Sequence, residues 1–351
     1  MNYIEFPNLF NGVKLEVGRV AFPVFGIDVY WYGIVVATAI ILAFLYAMKR
    51  APDFGMISDR VFDAAAAGLI GGFLCARLYF VIFSETSYNF ITFFTEIRDG
   101  GLAIYGGVIG GVIVSFAFMK WRKIQILPVL DLAGMSFLIG IGLGRWGNFF
   151  NQEAYGAAVN PEYFLGMTGE RIVREMGESL VHPCFLYESM WCALGFILLH
   201  FYSKKLRTFD GEIFLLFTAW YGTGRAFNEQ LRTDSLMLGE VKISQILAIV
   251  SAVMAIGAFA YLKFKVKKAD NYKMYVSTEE SAAEIAAYEE KLRLEKEKAA
   301  AVKALKKEGE KAPSILGEDA EEDDEPNLEP EPKEVTEEEP DPDPDEENEE
   351  E

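Results

Sequence analysis

The chain has 351 residues, 51% of them hydrophobic, and a formal net charge of −19 at pH 7. Almost all of this charge lies at one end: residues 318–351 contain 21 acidic residues and one lysine, whereas residues 1–317 contain 32 basic and 31 acidic residues. This distribution excludes a chain-wide nucleic-acid footprint, since no basic patch accompanies a motif that reads bases. The three cysteines lack CxxC spacing and there are only two histidines, so neither a disulfide framework, a metal site nor a cofactor is indicated.

Seven apolar windows follow one another in the first 268 residues. A helix needs about 20 mostly apolar residues to span the hydrocarbon core of a bilayer, and these windows approach or exceed that length. The sixth window is the shortest and ends in charged residues, so it is the least typical of the set. The predicted spans are residues 27–48, 61–84, 102–119, 124–143, 184–202, 213–227 and 243–264. The predicted fold class is therefore all-α, a polytopic membrane protein with seven transmembrane helices.

Lysine and arginine residues follow the first, third, fifth and seventh predicted spans. Cytoplasmic loops carry an excess of these residues, so the four clusters predict a common, cytoplasmic side. With seven spans the N-terminus then lies outside the membrane and the C-terminus in the cytoplasm. The clusters are Lys49, Arg50 and Arg60; Lys120, Arg122 and Lys123; Lys204, Lys205 and Arg207; and Lys263, Lys265, Lys267 and Lys268.

Three regions are predicted along the chain. Residues 1–268 form the transmembrane domain, whose longest external segment, about residues 145–183, forms a small extracytoplasmic head. Residues 269–309 form a charged cytoplasmic extension with an exposed helix over 279–308, because this stretch is rich in Ala, Glu, Lys and Leu. Residues 310–351 have too little apolar surface to fold, which predicts a disordered acidic tail. The tail is either a binding arm or a solubilising extension.

Glycines recur inside the second and third predicted spans. Gly107 and Gly111 have the small-xxx-small spacing that allows two membrane helices to approach closely. A close contact between neighbouring helices is therefore predicted at these glycines.

A group of polar residues follows the fourth predicted span directly, at Arg145, Asn148, Asn151 and Glu153. Insertion scales assign an arginine in the middle of the bilayer a cost of roughly 2.5–3.5 kcal/mol. Such an arginine either extends its head to the lipid headgroups or belongs to a site that holds it.

Further polar side chains are predicted at the same, outer leaflet. Arg225, Glu229 and Arg232 share one helix face if the sixth helix continues through them. Arg77 lies deeper, in the second span, where an inward arginine favours pairing with a lipid or a carboxylate. The remaining members of this outer group are Tyr32, His182 and Glu188. Polar residues that merely lie at the interface would be distributed over both leaflets rather than gathered at one. Guanidinium groups also match the geometry of phosphate oxygens, so a lipid-headgroup site open to the outer surface is predicted.

Three motifs resemble those of the prolipoprotein diacylglyceryl transferase family. They are GRWGNFFNQEAYG at residues 144–156, HPCFLYE at 182–188 and YGTGRAFNEQLR at 221–232, and Trp31-Tyr32-Gly33 and Gly100-Gly101 also fit. The resemblance covers roughly residues 20–262. It implies a bacterial plasma-membrane enzyme that transfers the diacylglyceryl group of phosphatidylglycerol to the lipobox cysteine thiol of a preprolipoprotein signal peptide. A thioether forms and glycerol phosphate leaves.

The resemblance implies catalytic roles for Arg145 and Arg225, because charge that builds on the departing phosphate needs fixed cations where water is excluded. Many members of the family carry a histidine in the glycine-rich stretch where this chain has Tyr105. A phenol with a pKa near 10 is a poor base at neutral pH. Tyr105 is therefore predicted to orient the substrate while the arginine field ionises the thiol; Glu153 and Glu229 are alternative proton acceptors.

The other candidates have open alternatives. Asn148 and Asn151 either bind glycerol hydroxyls or cap the end of the fourth helix, and Glu153 is predicted to hold Arg145 as a buried pair. His182 either makes a hydrogen bond at the start of a helix or forms a wall of the site. Glu188 in such a position is more often a structural residue than a substrate-binding one.

Two other functions of the protein remain open. One is a membrane transporter with a polar extracytoplasmic site, which no internal repeat supports, and the other is a non-catalytic scaffold.

Overall fold

The computed structural model describes residues 3–84, 92–93, 101–177, 179–239, 241–269 and 271–308. Within them the α-helices are α1 (Trp31–Arg50), α2 (Ser58–Phe83), α3 (Ile104–Trp121), α4 (Ile126–Asn151), α5 (Glu170–Met176), α6 (Cys184–Lys205), α7 (Glu212–Leu231), α8 (Ile243–Lys268) and α9 (Glu279–Glu308). The strands are β1 (Tyr3–Phe6), β2 (Val13–Glu16), β3 (Val20–Val24), β4 (Ile27–Tyr30), β5 (Thr168–Gly169), β6 (Met237–Leu238) and β7 (Val241–Lys242). The predicted disordered tail, residues 310–351, lies outside the described residues.

The all-α membrane class is confirmed. Six helices within the described residues are long and apolar enough to span a membrane: α1, α2, α3, α4, α6 and α8. The predicted sixth of seven spans is present as α7, but α7 is not among these six helices, because its charged and polar residues, such as Arg225, Asn228 and Glu229, lower its hydropathy. Glu212 and Glu229 are buried, because α7 packs against α4, α6 and α8. The count of seven spans stays a prediction.

The first helix begins four residues later than predicted, at Trp31. The preceding residues Ile27–Tyr30 form β4, which pairs antiparallel with β3. The two-residue turn between the strands has positive φ angles at Phe25 and Gly26, the geometry of a tight hairpin. The β-branched and aromatic residues around this turn therefore form strands, although the apolar window predicted a helix there.

The fourth helix is longer than predicted and runs through Asn151. Arg145, Asn148 and Asn151 are thus helical residues, three residues apart along one face. The helix ends at Gln152, which adopts the left-handed conformation and donates its backbone N–H to the carbonyls of Asn148 and Phe149. The backbone itself thus closes this helix end, and the role of Asn148 and Asn151, either glycerol binding or capping, stays a prediction.

The helix α4 lies at the centre of the bundle, in contact with α1, α6 and α7. Its residues Leu132, Met135 and Leu138 are fully buried, and Cys192 of α6 and Phe217 of α7 complete the same apolar cluster. A central helix that contacts three others can bring side chains from all of them to one point.

A second apolar core lies around the last turn of α4. The strands β2, β1 and β5 form a three-stranded antiparallel sheet, so the N-terminal residues pair with the segment just before α5. The core contains Ile4, Phe6, Phe149, Tyr155, Met167, Ile172, Val181 and Phe185. This core joins residues after Gln152, within the predicted head at 145–183, to N-terminal strands that the sequence alone did not indicate; we call this compact part of the structure the head. Its extracytoplasmic position stays a prediction.

The chain after α8 folds back onto the bundle before α9 begins. Tyr275 and Ser281 are buried, and the Ser281 hydroxyl donates to the carbonyl of Gly55 at 2.8 Å. Gly55 has a φ of +76°, and a Cβ there would lie 2.6 Å from the Cα of Val276, so the contact requires glycine. The predicted helix over 279–308 is confirmed, but its first turn packs against Gly55. A separate compact unit begins at Leu294, and its described side chains are exposed.

The predicted close contact at Gly107 and Gly111 is confirmed. A Cβ added to Gly72 of α2 would lie 2.9 Å from the carbonyl oxygen of Gly107 and 3.3 Å from the Cα of Gly111. The backbones of the two helices are in contact here, so a larger side chain could not be accommodated by moving a neighbouring side chain.

Replacing Gly72 by leucine is expected to push α2 and α3 apart and lower the melting temperature of the detergent-solubilised protein by several degrees. The matched control is Gly257→Leu, also inside a spanning helix, where a Cβ would meet no atom within 4 Å. Thermal unfolding followed by tryptophan fluorescence measures both. Equal melting temperatures for the two variants would contradict the close packing.

Candidate functional site

The centre of the candidate site is the carboxylate of Glu188, in the second turn of α6. It is 3% exposed. Arg145 of α4 donates from Nη2 to Oε1 at 2.7 Å, and Arg225 of α7 donates from Nη1 to Oε2 at 3.3 Å. One carboxylate therefore holds two guanidinium groups that come from different helices.

Two more side chains of α7 complete the bonding of Glu188. The Tyr221 hydroxyl donates to Oε1 at 3.0 Å, and Asn228 donates from Nδ2 to Oε2 at 3.0 Å. Charged groups that leave water are tolerated when hydrogen bonds satisfy their remaining lone pairs, as they do here. Neither Tyr221 nor Asn228 was a candidate from the sequence; their spacing of seven, which places them on one helix face, was the available signal.

A second carboxylate fixes Arg225 from the other side. Glu229 lies four residues later on α7, is 1% exposed, and its Oε2 lies 2.6 Å from Arg225 Nη2. The predicted shared helix face of Arg225 and Glu229 is thus confirmed. We call Arg145, Glu188, Arg225 and Glu229 the arginine–glutamate cluster.

The cluster leaves N–H donors available. Each guanidinium has five N–H donors. Arg145 uses Nη2 toward Glu188 and Nη1 toward Asn148 Oδ1 at 3.4 Å, while Arg225 uses Nη1 and Nη2 toward the two glutamates. Each arginine therefore keeps further N–H groups for an anionic ligand, in a fixed geometry.

A chain of hydrogen bonds connects the cluster to the head. Asn148 and Asn151 both donate from Nδ2 to Oε1 of Glu153, at 3.0 and 3.2 Å. The other oxygen of Glu153 lies 3.7 Å from Arg171 Nη1. Glu153 is thus paired with Arg171, and the expected pair with Arg145 is replaced by Arg145–Glu188. Sequence spacing favoured the nearer glutamate, whereas helix packing brings Glu188 closer.

A cavity of about 200 Å³ lies beside the end of α4. Its lining includes Arg19, Asn151, Arg171 and Arg174. Arg19 and Arg171 donate to the backbone carbonyl of Asn151 at 3.4 and 3.2 Å. Arginine side chains therefore line a space next to Asn151, whose amide donates to Glu153.

Tyr32 and Arg77 have packing partners of their own. The ring of Tyr32, in the first turn of α1, lies against Gly147 of α4, where a Cβ would be 2.7 Å from the ring. Arg77 is 1% exposed and donates to the backbone carbonyls of Thr92, Phe93 and Gly101 at 3.1, 2.8 and 3.2 Å. Arg77 thus binds the backbone at residues 92–93 and at Gly101, and a lipid partner for it stays a prediction.

Tyr105 lies in the first turn of α3 and is 59% exposed. The helix α3 packs mainly against α2 and makes only a minor contact with α4. The structure therefore does not bring Tyr105 into the arginine–glutamate cluster, and its orienting role stays a prediction.

His182 and Arg232 each have partners outside the arginine–glutamate cluster. His182 Nδ1 and the Tyr187 hydroxyl are 3.1 Å apart, and Tyr187 in turn contacts the Tyr163 hydroxyl at 3.0 Å. Arg232 follows the last residue of α7 and binds Asp234 through Nε and Nη2, at 2.8 and 2.7 Å. The helix ends before Arg232, so the predicted common face of Arg225, Glu229 and Arg232 does not extend to the third member.

The chain matches the family model described as prolipoprotein diacylglyceryl transferase over residues 19–261. It is 38% identical over 251 residues to a protein of Clostridioides difficile (strain 630), a match that covers 71% of this chain and 97% of the relative. A protein of Lysinibacillus sphaericus (strain C3-41) is 37% identical over 270 residues, covering 74% and 97%. A protein of Listeria innocua serovar 6a is 37% identical over 259 residues, covering 73% and 93%. All three are named phosphatidylglycerol--prolipoprotein diacylglyceryl transferase.

Replacing Glu188 by alanine is expected to destabilise the protein strongly. Removing one partner of a buried pair leaves the opposite charges uncompensated, which typically costs about 3–5 kcal/mol. The melting temperature in detergent should fall well below that of Glu162→Ala, a control that removes an exposed carboxylate of the head. A similar melting temperature for both variants would mean that Glu188 does not hold the two arginines together.

Burial lowers the pKa of His182 below its ordinary value of 6.5. The unfolded chain then binds the proton more readily, so the free energy of unfolding falls as the pH drops from above 6.5 toward the folded-state pKa. The chain has two histidines, so imidazole NMR of a His200→Gln variant reports His182 alone. We expect a titration midpoint below 6.5, and a midpoint above 6.5 would contradict this environment.

Proposed function

The chain belongs to the prolipoprotein diacylglyceryl transferase family, and we propose that it transfers the diacylglyceryl group of phosphatidylglycerol to the cysteine thiol of prolipoproteins. The observation that carries this proposal is the pair of guanidinium groups, Arg145 and Arg225, held on one carboxylate. Six apolar helices among the described residues support a multi-pass membrane protein, which has direct access to a lipid substrate.

The two arginines are suited to a phosphodiester headgroup. A guanidinium presents a planar fork of donors that matches two phosphate oxygens. Arg145 and Arg225 contact the two oxygens of the same carboxylate, so the two guanidinium groups lie close together. We propose that the phosphate of phosphatidylglycerol binds there.

The reaction is a substitution at a saturated carbon. The sulfur of the lipobox cysteine forms a bond to the glyceryl carbon of the lipid, the bond from that carbon to the phosphate oxygen breaks, and glycerol phosphate leaves with the electron pair. The product is a thioether. An oxyanion hole or acyl-enzyme is not needed, in agreement with the lack of a G-x-S-x-G motif in the chain.

Two electrostatic demands follow from this chemistry. Negative charge grows on the departing phosphate, where Arg145 and Arg225 stabilise it. The thiol has a pKa near 8.5, so only roughly a few per cent is ionised at neutral pH, and the nearby cations favour the thiolate. We propose that the thiol proton passes to solvent at the outer surface, and that exposed Tyr105 contacts the peptide rather than acting as a base.

The orientation is part of the proposal. The clusters of lysine and arginine after α1, α3, α6 and α8 place the N-terminus outside and the C-terminus in the cytoplasm. The arginine–glutamate cluster then lies at the outer leaflet of the plasma membrane, next to the head.

Replacing Arg145 or Arg225 by alanine is expected to lower the rate of diacylglyceryl addition by about 10²–10³-fold, the usual loss when one charge-stabilising donor is removed. The assay follows the mass of a model lipobox peptide incubated with phosphatidylglycerol and the purified protein. Arg122→Ala, which removes an exposed arginine just after α3, serves as the control.

Unchanged addition in both cluster variants would overturn the role of these arginines. If the folded, unmodified protein adds no diacylglyceryl group, the proposed activity itself is wrong.

A further inference from the structure

The amide oxygen of Asn228 is buried beside the arginine–glutamate cluster without a hydrogen-bond donor among the described residues. Asn228 is 6% exposed, and its Nδ2 donates to Glu188 Oε2 at 3.0 Å and to the carbonyl oxygen of Cys184 at 3.3 Å. Both of these partners are acceptors, so the amide cannot be turned around without placing oxygen against oxygen. The position of Oδ1 is thereby fixed.

An orphaned buried acceptor is uncommon in folded proteins and indicates a missing donor. None of the neighbouring donors in the described residues bonds to this oxygen: the Tyr221 hydroxyl donates to Glu188, and Arg225 is paired with the two glutamates. A phosphate group offers only acceptors when ionised, and acyl chains offer no donor. The glycerol headgroup of phosphatidylglycerol, by contrast, carries two hydroxyl groups.

Asn228 lies three residues after Arg225 on α7, so the two side chains are neighbours on the helix surface. A phosphate bound by Arg225 would therefore place the attached glycerol within reach of Asn228. Both contacts are made by one helix face, and Glu188 fixes both side chains.

We propose that Asn228 Oδ1 accepts a hydrogen bond from a hydroxyl group of the phosphatidylglycerol headgroup, which makes Asn228 a specificity-determining residue. This inference rests on the proposed function. A site built to bind a substrate hydroxyl discriminates against an analogue that lacks it, because the buried partner is then left without a bond.

The test compares two lipids, phosphatidylglycerol and phosphatidylpropanol, whose headgroup lacks both hydroxyls. The kcat/KM of each is measured for the unmodified protein, for Asn228→Leu and for Asn228→Ser, with the same model lipobox peptide. Serine keeps a small donor for Glu188 but removes the amide oxygen, so it reports on Oδ1 if the leucine variant does not fold. Gln230→Leu, an exposed amide on the same helix, is the control.

The unmodified protein and the control are expected to prefer phosphatidylglycerol by at least about tenfold, and this preference should approach one in both Asn228 variants. Equal slowing of both lipids, with the preference unchanged, would mean that Asn228 has a structural role only, and the inference would be wrong. A lack of preference in the unmodified protein overturns it as well. Inactivity of the unmodified protein toward phosphatidylglycerol contradicts the proposed function instead.

Discussion

The shared carboxylate of Glu188 is the interaction on which the rest of the site depends. Two arginines brought close together repel each other, and in a membrane neither can be compensated by bulk water. The carboxylate of Glu188 offsets this repulsion because it accepts hydrogen bonds from both guanidinium groups. Tyr221 and Asn228 donate to the same carboxylate and hold it in place. The result is a pair of oriented cations with spare donors, which is what recognition of a phosphodiester requires.

Helix packing explains how this arrangement arises from one chain. The helix α4 supplies Arg145, α6 supplies Glu188 and α7 supplies Arg225, and these three helices contact one another. The polar helix α7 would be unfavourable in lipid by itself, but it is surrounded by α4, α6 and α8. Its buried glutamates therefore meet cations rather than hydrocarbon: Glu229 lies against Arg225, and Glu212 binds Lys263.

Much of this fold could be predicted from the sequence. Apolar windows identified the spanning helices because length and hydropathy alone decide whether a helix suits a bilayer. Gly107 and Gly111 indicated a close helix contact, and the composition of residues 279–308 indicated the last helix. The three motifs led to the family, because each is long and keeps its order along the chain.

The rest depends on contacts between distant parts of the chain. The pairing of Arg145 with Glu188 spans 43 residues, so Glu153 was the nearer choice on spacing alone. The sheet that joins β1 to β5 was missed because its strands are short and far apart in sequence. Asn228 was missed because its spacing of seven from Tyr221 places it on a helix face without indicating a role; its buried, unpartnered oxygen is visible only in the structure.

An experimental structure of the protein with phosphatidylglycerol bound tests the central claim most directly. The account predicts N–H groups of both Arg145 and Arg225 within about 3.2 Å of oxygens of the same phosphate, with Glu188 still between the two guanidinium groups. A phosphate held away from these arginines, or contacted by only one of them, would contradict the account.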